Sequence, residues 1–399
     1  MLKNKNIVLG ICGGIAAYKA VEIASRLRKQ GTSVHCIMTE NATKFVTPLT
    51  FREISGNPVI STMWHDVSLW NVEHIALATM ADAFLVAPAT ANIIGKLANG
   101  IADDMLSTTT MATKAPVILV PAMNTNMYLN PIMQGNLQKL SSLQYRVMEP
   151  ASGSLACGTT GVGRLPEPED IVEFLKYIIC GKQLLKGQKL LVTAGGTQEP
   201  IDPVRYIGNR SSGTMGFAIA KMAAMEGADV TLVSSPTGLP TPFNVTRINV
   251  QSALEMQDVL DKKFEETDVV IKAAAVADYR VKSPAKEKIK KNDDTLTIQL
   301  EKNPDILYGL GQRKTHQILV GFAAETINVI DYAKGKLKKK NLDMIVANDV
   351  SKPGAGFNIN TNIASLIFPD GTVEELGLMS KEDLAHIIIK KIAHINSLK

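Results

Sequence analysis

The 399-residue chain is poor in cysteine, with only Cys12, Cys36, Cys157 and Cys180. Four thiols so widely scattered cannot staple a disulfide scaffold, and with no CxxC pair they do not spell a zinc site. A reducing cytoplasm is the expected compartment. Also missing is any run of the ~18 to 20 apolar residues that a membrane-spanning helix needs. Lys3 and Lys5 ahead of the apolar stretch 7–18 imitate a secretory leader, but Gly10, Gly13 and Gly14 interrupt it and it runs directly into the amphipathic KAVEIASRLRKQG. Strand, glycine turn and helix is therefore the reading. A large charge excess is absent too: the net charge is +5 and is shared evenly by the two halves, so nucleic acid is not an expected partner. What remains, 45% hydrophobic and 20% charged, is an ordinary globular composition. At roughly 100 to 200 residues per domain, the length predicts two domains.

Two similar grammars follow one another. IVLGI (7–11), a Cys-Gly-Gly turn, a helix-period segment to Gln30 and SVHCIMT (33–39) spell a βαβ unit. AFLVAP (83–88) and APVILVPA (115–122) are short buried runs separated by the helical segment NIIGKLANGIADDMLSTTTMA. Runs apolar on both faces predict a parallel sheet covered by helices on both sides. A last helix follows Pro166, and the polar GKQLLKGQ (181–188) reads as a linker. The pattern restarts with KLLVTAGGT (189–197), a helix over 214–226 and ADVTLVSSP (228–236). DVVIKAAAVADY (268–279), HQILVGFAAET (316–326) and DMIVANDV (343–350) supply further strands, and IASLIFPDGTVEELG (363–377) reads as a hairpin on its Asp-Gly turn. Both halves are expected to be α/β, doubly wound and Rossmann-like, spanning 1–182 and 187–399, with ligands at the carboxyl ends of the strands.

In the first half, GICGGIAAYK sets Gly10, Gly13 and Gly14 between strand and helix, where backbone N–H groups can approach a phosphate or simply make a tight turn. The spacing is not that of the GxGxxG dinucleotide fingerprint, and Thr39 closes the second strand. Pro88, Thr90 and Asn92 stand at a strand end and helix start. Ser107, Thr108, Thr109 and Thr110 form a hydroxyl cluster that suits either a phosphate or ribityl chain or a capped helix end. His74 opens a segment of helical period and reads as structural or catalytic. Asn124 in PAMNTNMY follows a strand and can bind a carboxylate or carbonyl. Cys157 lies among Gly153, Gly158, Gly161 and Gly163, a setting for a mobile flap. Cys12, Cys36 and Cys180 fall in strand or helix patterns and read as packing residues.

The second half lacks the Walker GxxxxGK(S/T) pattern, so an ordinary NTPase is excluded. Its glycines Gly195 and Gly196 are separated from the next helix by an insertion of about a dozen residues, and the second strand ends at Ser234 and Ser235, without the acidic ribose ligand of NAD-binding folds. Asn209, Arg210, Ser211 and Ser212 are donors beside a helix start. Lysines gather at Lys286, Lys288, Lys290 and Lys291, and again at Lys334, Lys336, Lys338, Lys339 and Lys340. Such runs are solvated faces unless something anionic gathers them. Here they flank strand ends that carry Asp278, Asn303-Pro304-Asp305 and Phe322. Lysines can neutralise a triphosphate, an aspartate can serve ribose or Mg2+, and Phe322 can stack a base.

Taken together, GGIAAYK, His74 in EHIALA, PAMNTNMY and the ACGTTGVGR flap resemble the flavin-dependent cysteine decarboxylases. AAVADYR, KIKK, KNPDIL, GFAAET and LKKKNLD extend the likeness over essentially the whole chain, to the bifunctional phosphopantothenoylcysteine decarboxylase/phosphopantothenate–cysteine ligase family of bacterial coenzyme A synthesis. The resemblance implies a flavodoxin-like FMN domain followed by a CTP-binding ligase domain. It implies that Gly13, Gly14, Thr39, Pro88, Thr90, Asn92, Ser107 and Thr108 hold FMN. His74 would act as base in the oxidative step, Asn124 would hold the substrate carboxylate and Cys157 would protonate the ene-thiolate left after CO2 departs. In the ligase half it implies that Ala273, Ala274, Asp278, Lys288, Pro304, Asp305, Ile306, Leu307, Phe322, Lys336 and Lys340 bind CTP with Mg2+. Asn209 would hold an acyl-cytidylate of 4'-phosphopantothenate, and Lys288 would stabilise negative charge during its formation or its breakdown by cysteine. Metal ligands are left unassigned. The resemblance also implies a homo-oligomer with trimeric decarboxylase and dimeric ligase contacts, up to a dodecamer. Two other readings stand at this point. One is an FMN-dependent decarboxylase of another cysteinyl substrate, and the other is a non-catalytic regulatory flavoprotein of the same fold.

Overall fold

Asn6–Ile11 (β1) is buried along nearly its whole length, which suits only the middle of a sheet covered on both faces. The computed structural model describes residues 2–64, 73–290, 296–325, 329–349 and 359–398. Lys291, Thr326 and Val350 lie outside the described residues. The chain forms two compact units, Met1–Gly181 and Lys182–Lys399.

In the first unit, β1 is followed by Ala17–Lys29 (α1), Ser33–Met38 (β2), Pro48–Ser55 (α2), Val59–Ile60 (β3), Glu73–Met80 (α3) and Ala83–Ala89 (β4). Then come Ala91–Ala98 (α4), Met105–Ala112 (α5), Val117–Pro121 (β5), Thr125–Tyr128 (α6), Pro131–Ser142 (α7) and Arg146–Val147 (β6). Ala151–Ser154 (β7), Thr160–Arg164 (β8) and Pro168–Cys180 (α8) complete the unit. The sheet order is β3-β2-β1-β4-β5-β6. Every pair is parallel. The chain winds outward in both directions from β1 and β4, and their carboxyl ends open a crevice at the reversal. α1 buries Ala17, Ala20, Ile23, Ala24 and Leu27, an i, i+3, i+4 stripe that packs on one face of the sheet. Ile93, Ile94, Leu97, Leu106 and Leu137 cover the other face.

The segment read as one helix over 92–112 is two. Gly100 takes φ +70° after α4, and Asp104 caps α5, accepting from the Ser107 amide at 2.8 Å while Ser107 Oγ accepts from the Asp104 amide at 3.2 Å. A capping box starts a new helix because its side chains satisfy amides that a continuous helix would have bonded internally.

The second unit contains Lys189–Ala194 (β9), Gln198–Pro200 (β10), Tyr206–Gly208 (β11), Thr214–Met225 (α9), Asp229–Ser234 (β12), Val245–Asn249 (β13) and Ala253–Lys263 (α10). Val269–Lys272 (β14), Tyr279–Val281 (β15), Leu300–Lys302 (β16), Ile306–Arg313 (α11), Ile318–Glu325 (β17) and Val329–Lys339 (α12) follow. Met344–Asp349 (β18), Thr361–Ile367 (β19), Val373–Ser380 (β20) and Lys381–Ser397 (α13) close it. The order is β13-β12-β9-β14-β17-β18-β19-β20, parallel up to β18 and antiparallel beyond. The expected hairpin is β19–β20. α9 packs so closely that a Cβ on Gly216 would stand 2.7 Å from the Thr193 carbonyl oxygen, which is why a glycine occurs there. Both units are doubly wound α/β folds. The hairpins β10–β11 and β15–β16 were not read from the sequence, because strands of three residues carry no measurable alternation.

Candidate active sites

At the reversal between β1 and β4 a cavity of about 1000 Å3 opens. Gly13, Gly14, Thr39, Pro88, Thr90 and Asn92 line it, as do Asn124 and Cys157. Of the residues predicted for this site, His74, Ser107 and Thr108 are not among the lining residues. The Ser107 hydroxyl takes part in the capping box, 2.9 Å from Asp104 Oδ1. Thr108 Oγ1 is buried without a hydrogen-bond partner on the same helix. His74 sits in the first turn of α3. The Gly13 Cα closely approaches Asn41, where an added Cβ would lie 2.4 Å from the Asn41 Cβ. Backbone amides at 13–14 and the hydroxyl and amide groups of Thr39, Thr90 and Asn92 suit the phosphate and ribityl chain of a flavin nucleotide, and the cavity is large enough to accept one.

The flap is the antiparallel hairpin β7–β8, with Cys157 in its turn. Two of its glycines, Gly161 and Gly163, are demanded by contact. A Cβ on Gly161 would meet Thr125 Oγ1 at 2.5 Å, and one on Gly163, at φ +132°, would meet the Met123 carbonyl oxygen at 2.2 Å. The Met123 amide donates to the Gly163 carbonyl at 3.0 Å and secures the hairpin beside Asn124. The exposed Cys157 Sγ lies 3.1 Å from Thr159 Oγ1 and accepts from Asn124 Nδ2 at 3.4 Å. Bonds from the Thr159 hydroxyl and amide, then from Asn124, favour the thiolate and bring the thiol down to about 7. A group that titrates there can both release and recover a proton near neutrality. Burial instead pushes Cys12 and Cys36 up to about 12, as expected of packing residues.

The sequence reading missed the charges in this cavity. Lys19 Nζ stands 3.1 Å from both Glu167 oxygens, and Lys96 Nζ lies 2.6 Å from Asp103 and 2.7 Å from Asp104. Burial raises the Asp104 carboxyl, but Lys96 and Ser107 outweigh it and hold the group below the usual carboxylate range. Lys19 belongs to GGIAAYK, so the signal was present but was read for its glycines alone.

The second unit has a crevice of the same origin, between β9 and β14. The loops beyond these strands are stitched together. The Ala275 amide donates to the Gly195 carbonyl at 2.8 Å, and the Ala277 amide donates to Thr197 Oγ1 at 3.0 Å. Asn209 Nδ2 donates to the carbonyls of Ala275 (3.3 Å) and Val276 (3.1 Å), which fixes its amide at the edge of the 273–278 loop. Asn303 Nδ2 donates to the Ala277 carbonyl at 2.8 Å, which ties the KNPDIL segment to the same loop. Asp305 caps α11 and pairs with Lys340 at 2.8 Å. Burial raises the Asp305 carboxyl, and the bonds from Lys340 and the Tyr308 amide overcome this and leave it lowered. Ile306 and Leu307 are buried in the core, so only backbone at those positions is available to a ligand.

The segment that carries Lys288 is held by a clamp that the motif reading overlooked. Asp202, whose side chain is wholly buried, accepts from the Val204 and Arg205 amides at 2.8 Å, from Arg205 Nε at 2.9 Å and from the Ile289 amide at 3.2 Å. Arg205 in turn donates to the Ile289 carbonyl at 3.0 Å. The residue after Lys288 is thereby fastened to the insertion that carries Asn209. The Arg205 guanidinium holds the Asp202 carboxyl well below the usual carboxylate range.

Comparison with known proteins identifies the family. Residues 1–179 match the Flavoprotein family model, and residues 185–395 match the DNA/pantothenate metabolism flavoprotein C-terminal domain. The chain is 46% identical to the coenzyme A biosynthesis bifunctional protein CoaBC of Bacillus subtilis, over 99% of this chain and 98% of that one. It is 49% identical to the protein of the same name from Haemophilus influenzae, over 98% of each. A crystal structure of the C-terminal domain of a CoaBC protein aligns with 55% of this chain and 100% of its own, at 44% identity and a TM-score of 0.48. Fold and site thus define a flavoprotein of pantothenate metabolism with a second, fused α/β unit. The chain belongs to the family of coenzyme A biosynthesis bifunctional proteins, enzymes with decarboxylase and ligase activity, and its first unit takes a flavin.

Proposed function

We propose that residues 187–399 join 4'-phosphopantothenate to cysteine at the expense of CTP, and that residues 1–182 decarboxylate the product to 4'-phosphopantetheine. The observation that carries the decarboxylase assignment is Cys157, poised on a glycine hairpin beside Asn124 and over a flavin-sized cavity. FMN is the flavin, held by Gly13, Gly14, Thr39, Pro88, Thr90 and Asn92, with Ser107 and Thr108 on the adjoining helix. When bound it supplies a reversible two-electron oxidation of the substrate's thiol side, which makes loss of CO2 easy and leaves no net redox change. Asn124 orients the substrate carboxylate, Cys157 Sγ gives its proton to the carbon left by CO2, and the hairpin excludes water. His74 serves as base. Because it is not among the lining residues of a single chain, a neighbouring copy in a trimer is a ready source of it. Dimeric contacts of the ligase units would extend the assembly to a dodecamer. A thiol acid must stay reduced, which places the enzyme in the cytoplasm; among the described residues no helix is long and apolar enough to cross a membrane.

In the ligase unit, the substrate carboxylate attacks the α-phosphorus of CTP, pyrophosphate leaves, and the cysteine amine then displaces CMP from the acyl-cytidylate. Lys288 offsets charge at the reacting phosphorus and Asn209 holds the acyl-cytidylate. Asp278, Lys336, Lys340, Phe322 and backbone at Ala273, Ala274 and Pro304 to Leu307 receive the nucleotide, Asp305 fixes Lys340 by its ion pair, and Mg2+ carried in with CTP would supply further neutralisation of its charge. The test is to incubate the purified protein with 4'-phosphopantothenate, cysteine and CTP, then ATP, and to follow pyrophosphate and CO2. Both should appear with CTP and neither without nucleotide. Product formed without CTP would overturn the ligase assignment.

A further inference from the structure

The carboxyl edge of the ligase sheet holds a cation that no motif singles out. Lys272 ends β14, in register with Thr193 of β9 on one side and Gly321 of β17 on the other. Alternation along the strand places it on the face that carries Val270 and Ala274, the side covered by α11 and α12. The three residues before it, Val269, Val270 and Ile271, are wholly buried, so an apolar residue would continue the strand at lower cost than a lysine. The charged groups that act on it are Lys340, Asp305, Asp278 and Lys336, contributed by the end of α12, the cap of α11 and the loop after β14. All four are residues to which CTP has been assigned above. Asp305 is already committed to Lys340, and among the described residues Lys272 makes no hydrogen bond or ion pair of its own. Lys272 itself is half-buried, so an anion arriving from solvent can meet its ammonium.

We propose that Lys272 is a further nucleotide-binding residue of the ligase site, its ammonium holding a phosphate oxygen of the triphosphate together with Lys336 and Lys340. The inference rests on the reading of this crevice as the CTP site. Burial, with the neighbouring lysines adding to it against Asp305 and Asp278, brings the amine down to about 8. An arriving polyphosphate favours the charged form and raises it again. Nucleotide affinity is therefore level below pH 8 and falls as pH rises through the free enzyme's value.

The experiment is steady-state pyrophosphate release from CTP by the full chain, between pH 6.5 and 9.5, for the wild type, Lys272→Met and Lys272→Arg. Loss of one charge-assisted contact raises the KM for CTP about 10- to 100-fold in Lys272→Met at pH 7, with the KM for cysteine unchanged. Lys272→Arg keeps its charge throughout, so its KM for CTP stays within a few-fold of wild type at pH 7 and the rise above pH 8 disappears. An unchanged KM for CTP in Lys272→Met overturns the proposal. If that variant is too unstable to assay, a pH 8 rise that persists in Lys272→Arg overturns it equally. A wild type that releases no pyrophosphate from CTP would instead remove the CTP reading itself, a failure seen before any substitution is made.

Discussion

At the scale of single residues, Cys157 owes its acidity to neighbours two and 33 positions away in the chain. Thr159 is the principal one, so Thr159→Val should raise the thiol from about 7 towards the ordinary value of 9.0, read as the midpoint of iodoacetamide alkylation against pH. The sign follows because a hydroxyl donor stabilises only the thiolate. A midpoint that stayed near 7 would shift the credit to the backbone amide at 159 and to Asn124. Cys157→Ser should still release CO2 and consume CTP while failing to return the flavin to its oxidised state, and bleaching of the flavin absorbance would show it. Normal turnover by that variant would exclude Cys157 as the acid. The sequence identified this cysteine through its glycine-rich surroundings, yet it gave no weight to Thr159. A hydroxyl two residues from a thiol reaches it only when the turn between them curls back.

Elements decide how those residues are presented. The β7–β8 hairpin lies so close to the 123–125 segment that Gly163→Ala requires both a backbone strain of about 1–3 kcal/mol and displacement of a carbonyl oxygen. Decarboxylation should fall at least 100-fold while pyrophosphate release is unchanged. Equal loss of both activities would mean that the variant had misfolded. In the ligase unit, Asp202 fastens the Lys288 segment to the insertion after β9. Asp202→Asn should lower kcat for pyrophosphate release about 10-fold or more while leaving decarboxylation of added phosphopantothenoylcysteine intact. Because the Asp202 carboxyl is depressed in the folded chain, its contribution to stability is present above the unfolded value of about 3.9 and is lost as pH falls through the folded one. Thermal unfolding of the ligase unit between about pH 5 and 2 should therefore be less pH-dependent in Asp202→Asn than in wild type. A DPVR sequence resembles any polar turn. Its importance appears only where Ile289, 87 residues on, is seen to share the same carboxylate.

The whole molecule repeats one device twice. In each unit the strand order reverses beside a central strand, at β1 and β4 and again at β9 and β14, and the proposed sites gather where the outgoing loops part. Since each unit closes its own sheet, a mixture of Cys157→Ser and Lys288→Gln chains should make 4'-phosphopantetheine that neither makes alone, measured from labelled cysteine. Absence of product from the mixture would mean that the intermediate does not pass between chains. Apolar runs, helix stripes and glycine turns are local, so the sequence by itself determined two doubly wound units and the family, and led to the expectation of a boundary near residues 181–188. It also determined the lysine-rich segments and the flap cysteine, because those signals lie within a few neighbouring residues. Only the tertiary structure could show that α4 and α5 are separate helices and that Ser107 takes part in the cap between them. It alone could show that Asp202 holds the backbone of Ile289, next to Lys288, and that Lys272 ends its strand within the influence of the charges at 278, 305, 336 and 340. Burial and charge act through space, and in a parallel sheet the groups that meet at a strand end come from segments tens of residues apart.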